Sequence, residues 1–497
     1  MVDLAEKSGL RLDPSQLSTA LGIPVIPMQA NASKGIIELR QALRHPFPTP
    51  TPATLIPADR PAFIRDLCAL AARRPHSHQR TFSDKLDSIL LHPILGWAAF
   101  ITVMFGLFWA IFSFASIPMD LIETSIASLA SSVETLLPPG DFRSLLVSGI
   151  IGGVGGVLVF LPQIILLFLF IGLLESSGYM ARAAFLMDGI MAKAGLSGKS
   201  FLPLFSSYAC AIPGVLATRT IHSTKDRLVT IFIAPWMSCS ARLPVYFLII
   251  PLLLHESEGT WKQALILFLI YALGTTSAFL VARILRGKLG PDSSHNHFLL
   301  ELPSYRPPQW SYILRHVCQS AWAFILQAGT IILGISILLW ALATYPKSTS
   351  PDPATALSHS AIGRIGTFIE PIVKPLGFDG RTGTAILTSF AAREVVVASL
   401  AIIFSVQETD DDSKTRSLLR EKIQTATWPD GRPLFTPLSL ISLLIFFIYA
   451  LQCLPTSVVV ARETGSWKWA TSQFLFMTAF AYSASLLVFQ GGKLLGF

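Results

Sequence analysis

Three cysteines lie in apolar segments, each close to a proline or serine that interrupts a helix: Cys210, Cys239 and Cys453. Thiolates bind soft or borderline divalent ions such as Fe²⁺ or Zn²⁺. A buried cysteine can also act only as a small hydrophobic side chain, which is the commoner case. The three are therefore candidate metal ligands, with simple packing as the open alternative.

The segment 235–244, Pro-Trp-Met-Ser-Cys-Ser-Ala-Arg-Leu-Pro, places prolines, hydroxyls and Arg242 inside a strongly apolar stretch. Hydrocarbon offers the backbone no hydrogen-bond partner, so a helix broken at membrane depth must line a cavity or be covered by protein. Ionisable residues in such places usually mark the path of a substrate or an ion. This segment predicts a transport site built from broken helices.

Two carboxylates also lie in apolar runs, Glu175 and Glu394. Each could bind a cation or relay a proton. The alternative is an internal ion pair, of Glu175 with Arg182 or Arg242 and of Glu394 with a neighbour. Glu463 lies at the end of an apolar run, where we expect a solvated side chain.

The composition is that of a membrane protein, because 52% of the 497 residues are hydrophobic and only 14% are charged, against about 25% in soluble domains. The net charge of +8 comes from basic residues scattered between apolar runs, a pattern expected of cytoplasmic loops. We therefore expect a lipid bilayer and no nucleic acid as partner. The glycine run 152–156 lacks the Lys-Ser/Thr of a P-loop, and we expect close helix contacts or a re-entrant turn there.

The apolar runs predict an all-α polytopic membrane protein with about eight to ten transmembrane or re-entrant helices of roughly 20 residues each. The runs cover residues 95–117, 144–162, 163–184, 201–218, 228–254, 263–285, 318–343, 382–406, 436–461 and 470–490. Interruptions come in two pairs, which favours two repeats, with an inverted arrangement as one alternative.

The first 92 residues are polar to mixed. Residues 1–45 resemble a piece of an α/β unit, with a short strand predicted at 21–28 and a helix at 34–43. Residues 46–92 read as a linker and an amphipathic helix at 82–91 that lies on the membrane surface. No signal peptide is recognised, so we expect a cytoplasmic N-terminus.

Several segments together resemble the ferrous iron transport protein B family over nearly the whole chain. They are residues 160–164, 174–188, 195–201, 210–213, 217–220, 237–246, 301–306, 375–379, 392–395 and 462–469.

The resemblance implies a cytosolic G-protein domain followed by a helical membrane domain in which two Gate regions form the Fe²⁺ path. The first Gate would lie around 160–250 and the second around 320–460, and the membrane cysteines of the family correspond to Cys210, Cys239 and Cys453. The implied domains are a C-terminal remnant of the G domain at 1–45, the linker and helix at 46–92, and membrane regions at 93–315 and 316–497 that hold the first and second Gate.

The G domain is where the chain departs from the family. Asp3 resembles the tail of the Asn-x-x-Asp guanine motif and Ala30 falls in the base-contacting loop, but the P-loop and switch regions are absent. We therefore expect no GTPase activity from this chain alone, and we expect GTP and Mg²⁺ to act only through a missing, separate or upstream G-domain segment.

The resemblance predicts a multi-pass Fe²⁺ uptake permease of the bacterial inner membrane. Small accessory iron-transport proteins are implied partners, and a homo-oligomer is left open. The alternatives are a transporter of Mn²⁺ or Zn²⁺, since ligand type does not separate neighbouring divalent ions, and a membrane scaffold or gene fragment that transports nothing.

Overall fold

A computed structural model describes residues 11–29, 34–44, 60–73, 82–254, 260–290, 305, 307–347, 359–390, 395–404, 412–428, 431–451 and 453–496. The chain divides into two compact units, Met1–Leu86 and Asp87–Phe497.

The first unit contains helices and one short antiparallel pair of strands. Its elements are β1 (Arg11–Leu12), α1 (Pro14–Leu21), α2 (Ile36–Arg44), α3 (Arg60–Ala71) and β2 (Ala72–Arg73), and the start of α4 (Phe82–Leu90). Helix α1 ends at Gly22, which has a φ of 65°, and Pro24 and Pro27 follow without a backbone N–H to give to a ladder. The strand predicted at 21–28 is therefore wrong, whereas α4 occupies the predicted amphipathic segment.

The regular structure of the second unit is helical within its described residues, which also include one isolated β-bridge between Thr427 and Pro433. Its helices are α5 (Leu95–Leu136), α6 (Asp141–Ser144), α7 (Gly152–Val159), α8 (Leu161–Ser177), α9 (Tyr179–Lys193), α10 (Phe201–Ala209), α11 (Ala211–Ala217), α12 (Thr224–Ile233), α13 (Leu243–Leu253), α14 (Thr260–Leu289), α15 (Trp310–Phe324), α16 (Thr330–Thr344), α17 (Ala361–Val373), α18 (Gly380–Thr388), α19 (Val395–Ile403), α20 (Asp412–Thr425), α21 (Pro437–Tyr449), α22 (Leu454–Thr464) and α23 (Trp467–Leu494). Short 3₁₀ turns cover Gly198–Ser200, Thr218–Thr220, Ala234–Trp236, Ser240–Arg242 and Lys374–Leu376, and π-helical turns cover Leu145–Ile151 and Ile325–Gly329.

Six helices are long and apolar enough to cross a membrane, judged by length and composition over the described residues: Leu95–Leu136, Asp141–Ser177, Thr224–Leu253, Trp261–Leu289, Pro437–Thr464 and Trp467–Leu494. Thr330–Thr344 is a shorter apolar helix. The predicted class, an all-α multi-pass membrane protein, is confirmed.

The glycine run continues the helix and forms no re-entrant turn. A π-helical turn leads into α7, and α8 follows it, so that Asp141–Ser177 is one long helical segment. A Cβ on Gly153 would lie 2.8 Å from the Ser336 side chain, and one on Gly155 would lie 2.9 Å from that of Ile126. The glycines therefore allow close contact with α16 and α5.

The second unit repeats one order of elements. In the first half, α9, a 3₁₀ turn and α10 lead to a break at Cys210, and α12 and α13 are separated by a second break before the long helix α14. In the second half α17, a 3₁₀ turn, α18 and α19 come first, and α21 and α22 are separated by a break before the long helix α23. Helices of one half pack on helices of the other: α11 packs on α22, and α13 packs on α19.

Contacts at the helix ends give the relative direction of one pair of corresponding helices, α14 and α23. Arg286, near the end of α14, pairs with Asp226 at the start of α12 at 3.3 Å. The next residue, Arg227, pairs with Glu463 just before α23 begins. The end of α14 and the start of α23 therefore lie together, so these corresponding helices run in opposite directions.

Candidate functional site

Each of the three predicted cysteines stands where a helix has been interrupted and the next begins. Cys210 precedes α11, Cys239 precedes the 3₁₀ turn into α13, and Cys453 precedes α22. Their backbones are extended, with φ/ψ of −155°/136°, −73°/162° and −146°/90°. The following segments start directly after these residues, so the three thiols sit at the breaks themselves.

Proline explains why the helix stops at Cys210. In a continuous helix the N–H of residue 213 would bond to the carbonyl of Ala209, but Pro213 has no N–H and its ring would clash with that carbonyl. The Ala209 carbonyl instead accepts a hydrogen bond from Ser240 Oγ at 2.9 Å. This hydrogen bond connects the first helix break of this half, at Cys210, to the second, at Cys239.

All three cysteines line one cavity, with a volume of about 120 Å³. A single water needs about 10–15 Å³ on this measure, so there is room for an ion with part of its hydration shell. The cysteines are half-buried. The other polar side chains in the lining are Gln163, Ser240 and Thr456, and the rest of it is apolar, including Phe160, Ile164, Leu167, Phe324 and Ile332.

A hydrogen-bonded chain crosses one wall of the cavity. Gln163 Nε2 donates to Ser240 Oγ at 3.3 Å, and Ser240 in turn donates to Ala209. Gln163 is only 9% exposed. Sequence reasoning missed Gln163, although an amide directly after Pro162 in an apolar run was a usable signal.

Arg242 fixes the second break from inside the protein. It is 1% exposed, and its Nη2 donates to the Pro235 carbonyl at 3.1 Å. Its Nη1 donates to the Ile448 carbonyl at 2.6 Å, near the end of α21. Arg242 thus joins the breaks of the two halves by binding carbonyls that their interrupted helices leave open.

Of the two predicted carboxylates, only Glu175 lies among the described residues. Glu175 is exposed at the end of α8 and does not line it. Glu394, Asp3 and Ala30 lie outside the described residues. Within the described residues, no group of three or more His, Cys, Asp or Glu side chains is arranged to hold a metal ion. The three predicted thiols share one cavity.

The ion pairs suggested for Glu175 are also absent from the described contacts. Arg182, 2% exposed, binds Asp87 through two bonds of 2.9 and 2.8 Å. Tyr305 donates to the same carboxylate at 3.0 Å, and its ring lies under the guanidinium at 4.2 Å. Burial, aided by this bond, raises the pKa of Tyr305 to about 12, so the phenol stays a donor at neutral pH.

Glu463 is not the solvated residue that its position predicted. Its side chain is 7% exposed and pairs with Arg219 and, at 2.9 Å, with Arg227. Arg227 also donates to the Glu463 carbonyl at 3.2 Å. The two guanidiniums come from the first half and the carboxylate from the second, so we call Arg219, Arg227 and Glu463 the Glu463 cluster.

The chemistry of the cavity follows from its donors. Thiols, hydroxyls and one amide can bind a soft or borderline divalent ion. No carboxylate lies among its described lining residues. The donors are few and of moderate strength, which suits an ion that must leave again.

Comparisons with known proteins match most of the chain. A family model described as Gate, nucleoside recognition, matches residues 157–253 and 325–467, and one described as ferrous iron transport protein B C terminus matches 267–319. The two matched Gate segments contain all three cavity cysteines. No solved structure matches the chain.

Curated relatives are similar over long stretches. The Fe(2+) transporter FeoB of Leptospira biflexa is 45% identical over 88% of this chain and 64% of its own length. An Fe(2+) transport protein A/Fe(2+) transporter FeoB fusion protein of Porphyromonas gingivalis is 37% identical over 89% of this chain and 55% of its own length. The Fe(2+) transporter FeoB of Campylobacter jejuni is 33% identical over 100% of this chain and 81% of its own length. The chain therefore spans less than two thirds of the first two of these relatives.

Proposed function

Because the chain belongs to the ferrous iron transport protein B family, we propose that it carries Fe²⁺ across the membrane through the cavity lined by Cys210, Cys239 and Cys453. The observation that carries the proposal is the convergence of thiols from both halves on one cavity. Inverted repeats with broken helices that meet at a midplane site are typical of alternating-access carriers. Fe²⁺ is a borderline ion that thiolate and neutral oxygen donors can hold together.

The cavity is one part of the proposed Fe²⁺ path through the membrane. We propose that Fe²⁺ loses part of its hydration shell on entering, because about 120 Å³ cannot hold the ion with a complete second layer of water. Thiolates at the helix starts would offset its charge, and the lining hydroxyls and amide would replace water oxygens. Release follows when the thiols of the two halves no longer face one cavity.

We further propose that GTP binding resides in a separate or upstream segment of the protein, and that this chain contributes no hydrolysis. A small accessory protein is a proposed partner, since the name of the Porphyromonas gingivalis relative joins an Fe(2+) transport protein A to the transporter in one chain. The proposed location is the bacterial inner membrane, with the basic ends of α12 and α14 in the cytoplasm.

Uptake of radioactive Fe²⁺ under reducing conditions tests the transport proposal. Cells that lack their own iron transporters would express the chain, with and without a G-domain segment, as the parent protein and as Cys239→Ser. We expect parent uptake and a loss in Cys239→Ser with membrane insertion intact. The matched control is Cys318→Ser, because Cys318 is exposed on α15 and does not line the cavity.

The possible outcomes separate the alternatives. Uptake only with the G-domain segment means that transport depends on that segment. Preference for Mn²⁺ or Zn²⁺ over Fe²⁺ would replace the ion and keep the path. Absence of divalent-ion uptake by parent protein that is present in the membrane would overturn the transport proposal in favour of a scaffold.

A further inference from the structure

Gln163 is a side chain of the cavity whose orientation is determined by its hydrogen-bonded neighbours. It lies in the first turn of α8, is 9% exposed and lines the same cavity as the three cysteines. A buried amide in an apolar helix needs a reason, because burying polar groups without partners is unfavourable. One half of this amide has a clear partner, Ser240.

The hydrogen bonds of Ser240 decide which way the amide faces. A hydroxyl has one proton, and Ser240 gives it to the Ala209 carbonyl at 2.9 Å. That carbonyl needs it, because Pro213 cannot donate. Ser240 Oγ can therefore only accept from Gln163, so the NH₂ group must face Ser240 and Oε1 is the atom left for another ligand.

Oε1 adds a type of donor that the other lining side chains lack. The cysteines offer soft sulfur, and Ser240 and Thr456 offer hydroxyls. Among the described lining residues, Gln163 alone has a side-chain carbonyl oxygen. Sulfur donors by themselves favour softer ions, whereas carbonyl oxygen suits harder ones such as Mn²⁺ and Mg²⁺. A mixed set of sulfur and oxygen matches a borderline ion.

We propose that Gln163 Oε1 is a ligand of the transported cation and sets the preference for Fe²⁺ over softer ions such as Cd²⁺, with Ser240 as the positioning residue that holds the amide. This inference rests on the proposed function and names the donor that tunes its selectivity. The oxygen comes from the first half, beside Cys210 and Cys239.

The test is competition uptake of Fe²⁺ and Cd²⁺ by the full-length protein and its Gln163→Met variant. Methionine has nearly the same shape and replaces the amide oxygen with a soft thioether. We expect the Fe²⁺/Cd²⁺ uptake ratio to fall about tenfold, which corresponds to ~1.4 kcal/mol. Gln163→Glu also loses the N–H that binds Ser240, but its carboxylate is a harder, charged oxygen donor that the cation itself attracts, so the ratio should not fall below that of the parent.

A purely structural role for Gln163 predicts a different pattern. Loss of the bond to Ser240 would then lower uptake of both ions equally in the Met and Glu variants, with the ratio unchanged, and this result would overturn the inference alone. If Gln163→Met does not reach the membrane, Ser240→Ala provides the second test, because the freed amide should also lower the ratio. Absence of uptake of either ion by the parent protein would overturn the proposed function and this inference together.

Discussion

At the scale of single residues, Arg242 binds backbone carbonyls at the helix breaks of both halves. A buried guanidinium is usually paired with a carboxylate, but the described partners of Arg242 are the Pro235 and Ile448 carbonyls and the Ser238 hydroxyl. Carbonyls at the ends of interrupted helices carry partial negative charge. Arg242 therefore neutralises backbone that the breaks expose.

We predict that Arg242→Met lowers the thermal midpoint of the detergent-solubilised protein. Hydrogen bonds to a charged group contribute about 1.5–3 kcal/mol each, and methionine makes none of them. Arg283→Met is the control, since Arg283 is exposed and donates to one carbonyl, that of Lys193. Equal midpoints for the two variants would show that Arg242 does not stabilise the breaks.

Residue chemistry explains which site residues the sequence could predict. The cysteines could be found because proline and thiol coincide in apolar runs, and proline forces a break whatever surrounds it. Gln163 lines the cavity and Glu175 does not, although both lie on α8. Because this helix is apolar on nearly all sides, its sequence has no polar face that would predict which side chains turn toward the cavity. The burial of Glu463 could likewise not be predicted, because it depends on ion pairs with arginines that are distant in the sequence.

At the scale of elements, α11 and α22 form a pair that connects the cavity to the Glu463 cluster. Each begins directly after a cavity cysteine, Cys210 or Cys453, and the two helices pack together. The Glu463 cluster joins the end of α22 to Arg219, just after α11, and to Arg227 in the next helix, α12. Movement of either helix relative to the other must therefore break these ion pairs or carry them along.

A double-mutant cycle tests this coupling. We predict an interaction free energy of about 0.5–3 kcal/mol between Arg227→Gln and Glu463→Gln, the range for residues in contact. The cycle with Arg219→Gln should give less, because the Arg219 side chain is 64% exposed and that of Arg227 only 31%. Unfolding free energies in detergent provide the measurement. Additive effects of Arg227→Gln and Glu463→Gln on the unfolding free energy would contradict the proposed coupling.

Gly214 tests the packing of α10 against α11. A Cβ there would overlap Ser207 Oγ and lie 2.7 Å from the Pro203 carbonyl. Overpacking of this kind destabilises by about 1–3 kcal/mol, so Gly214→Ala should lower the thermal midpoint and Fe²⁺ uptake. Gly189→Ala is the control, because a Cβ there meets nothing within 4 Å. A midpoint equal to that of the control would mean that the turn at Cys210 accommodates the methyl group.

At the scale of the whole molecule, the sequence predicted the class better than the number of elements. Apolar composition and length are enough to predict spans, yet ten predicted runs correspond to six long apolar helices and several shorter ones among the described residues. Hydropathy cannot show that α5 extends to Leu136, over 42 residues, or that a glycine run continues a helix. The opposite directions of α14 and α23 depend on contacts such as Arg227–Glu463, which connect distant parts of the chain.

The orientation of the molecule can be tested on one helix. Lys262 and Lys288 lie near opposite ends of α14. We predict that a membrane-impermeant maleimide labels Lys262→Cys in intact cells and Lys288→Cys only after permeabilisation, since the basic end should face the cytoplasm. The background would carry Cys68→Ser and Cys318→Ser to remove exposed thiols. The reverse labelling pattern would invert the proposed topology.

The transport proposal depends on occupation by Fe²⁺ of the cavity where the thiols of both halves meet. Its most direct test is the rate at which N-ethylmaleimide alkylates each cysteine in reduced membrane vesicles, followed by mass spectrometry with Fe²⁺ or with Mg²⁺. We predict that Fe²⁺ slows alkylation of Cys210, Cys239 and Cys453, that Mg²⁺ does not, and that Cys318 reacts at one rate throughout. Equal rates at the cavity cysteines with and without Fe²⁺ would contradict the proposal.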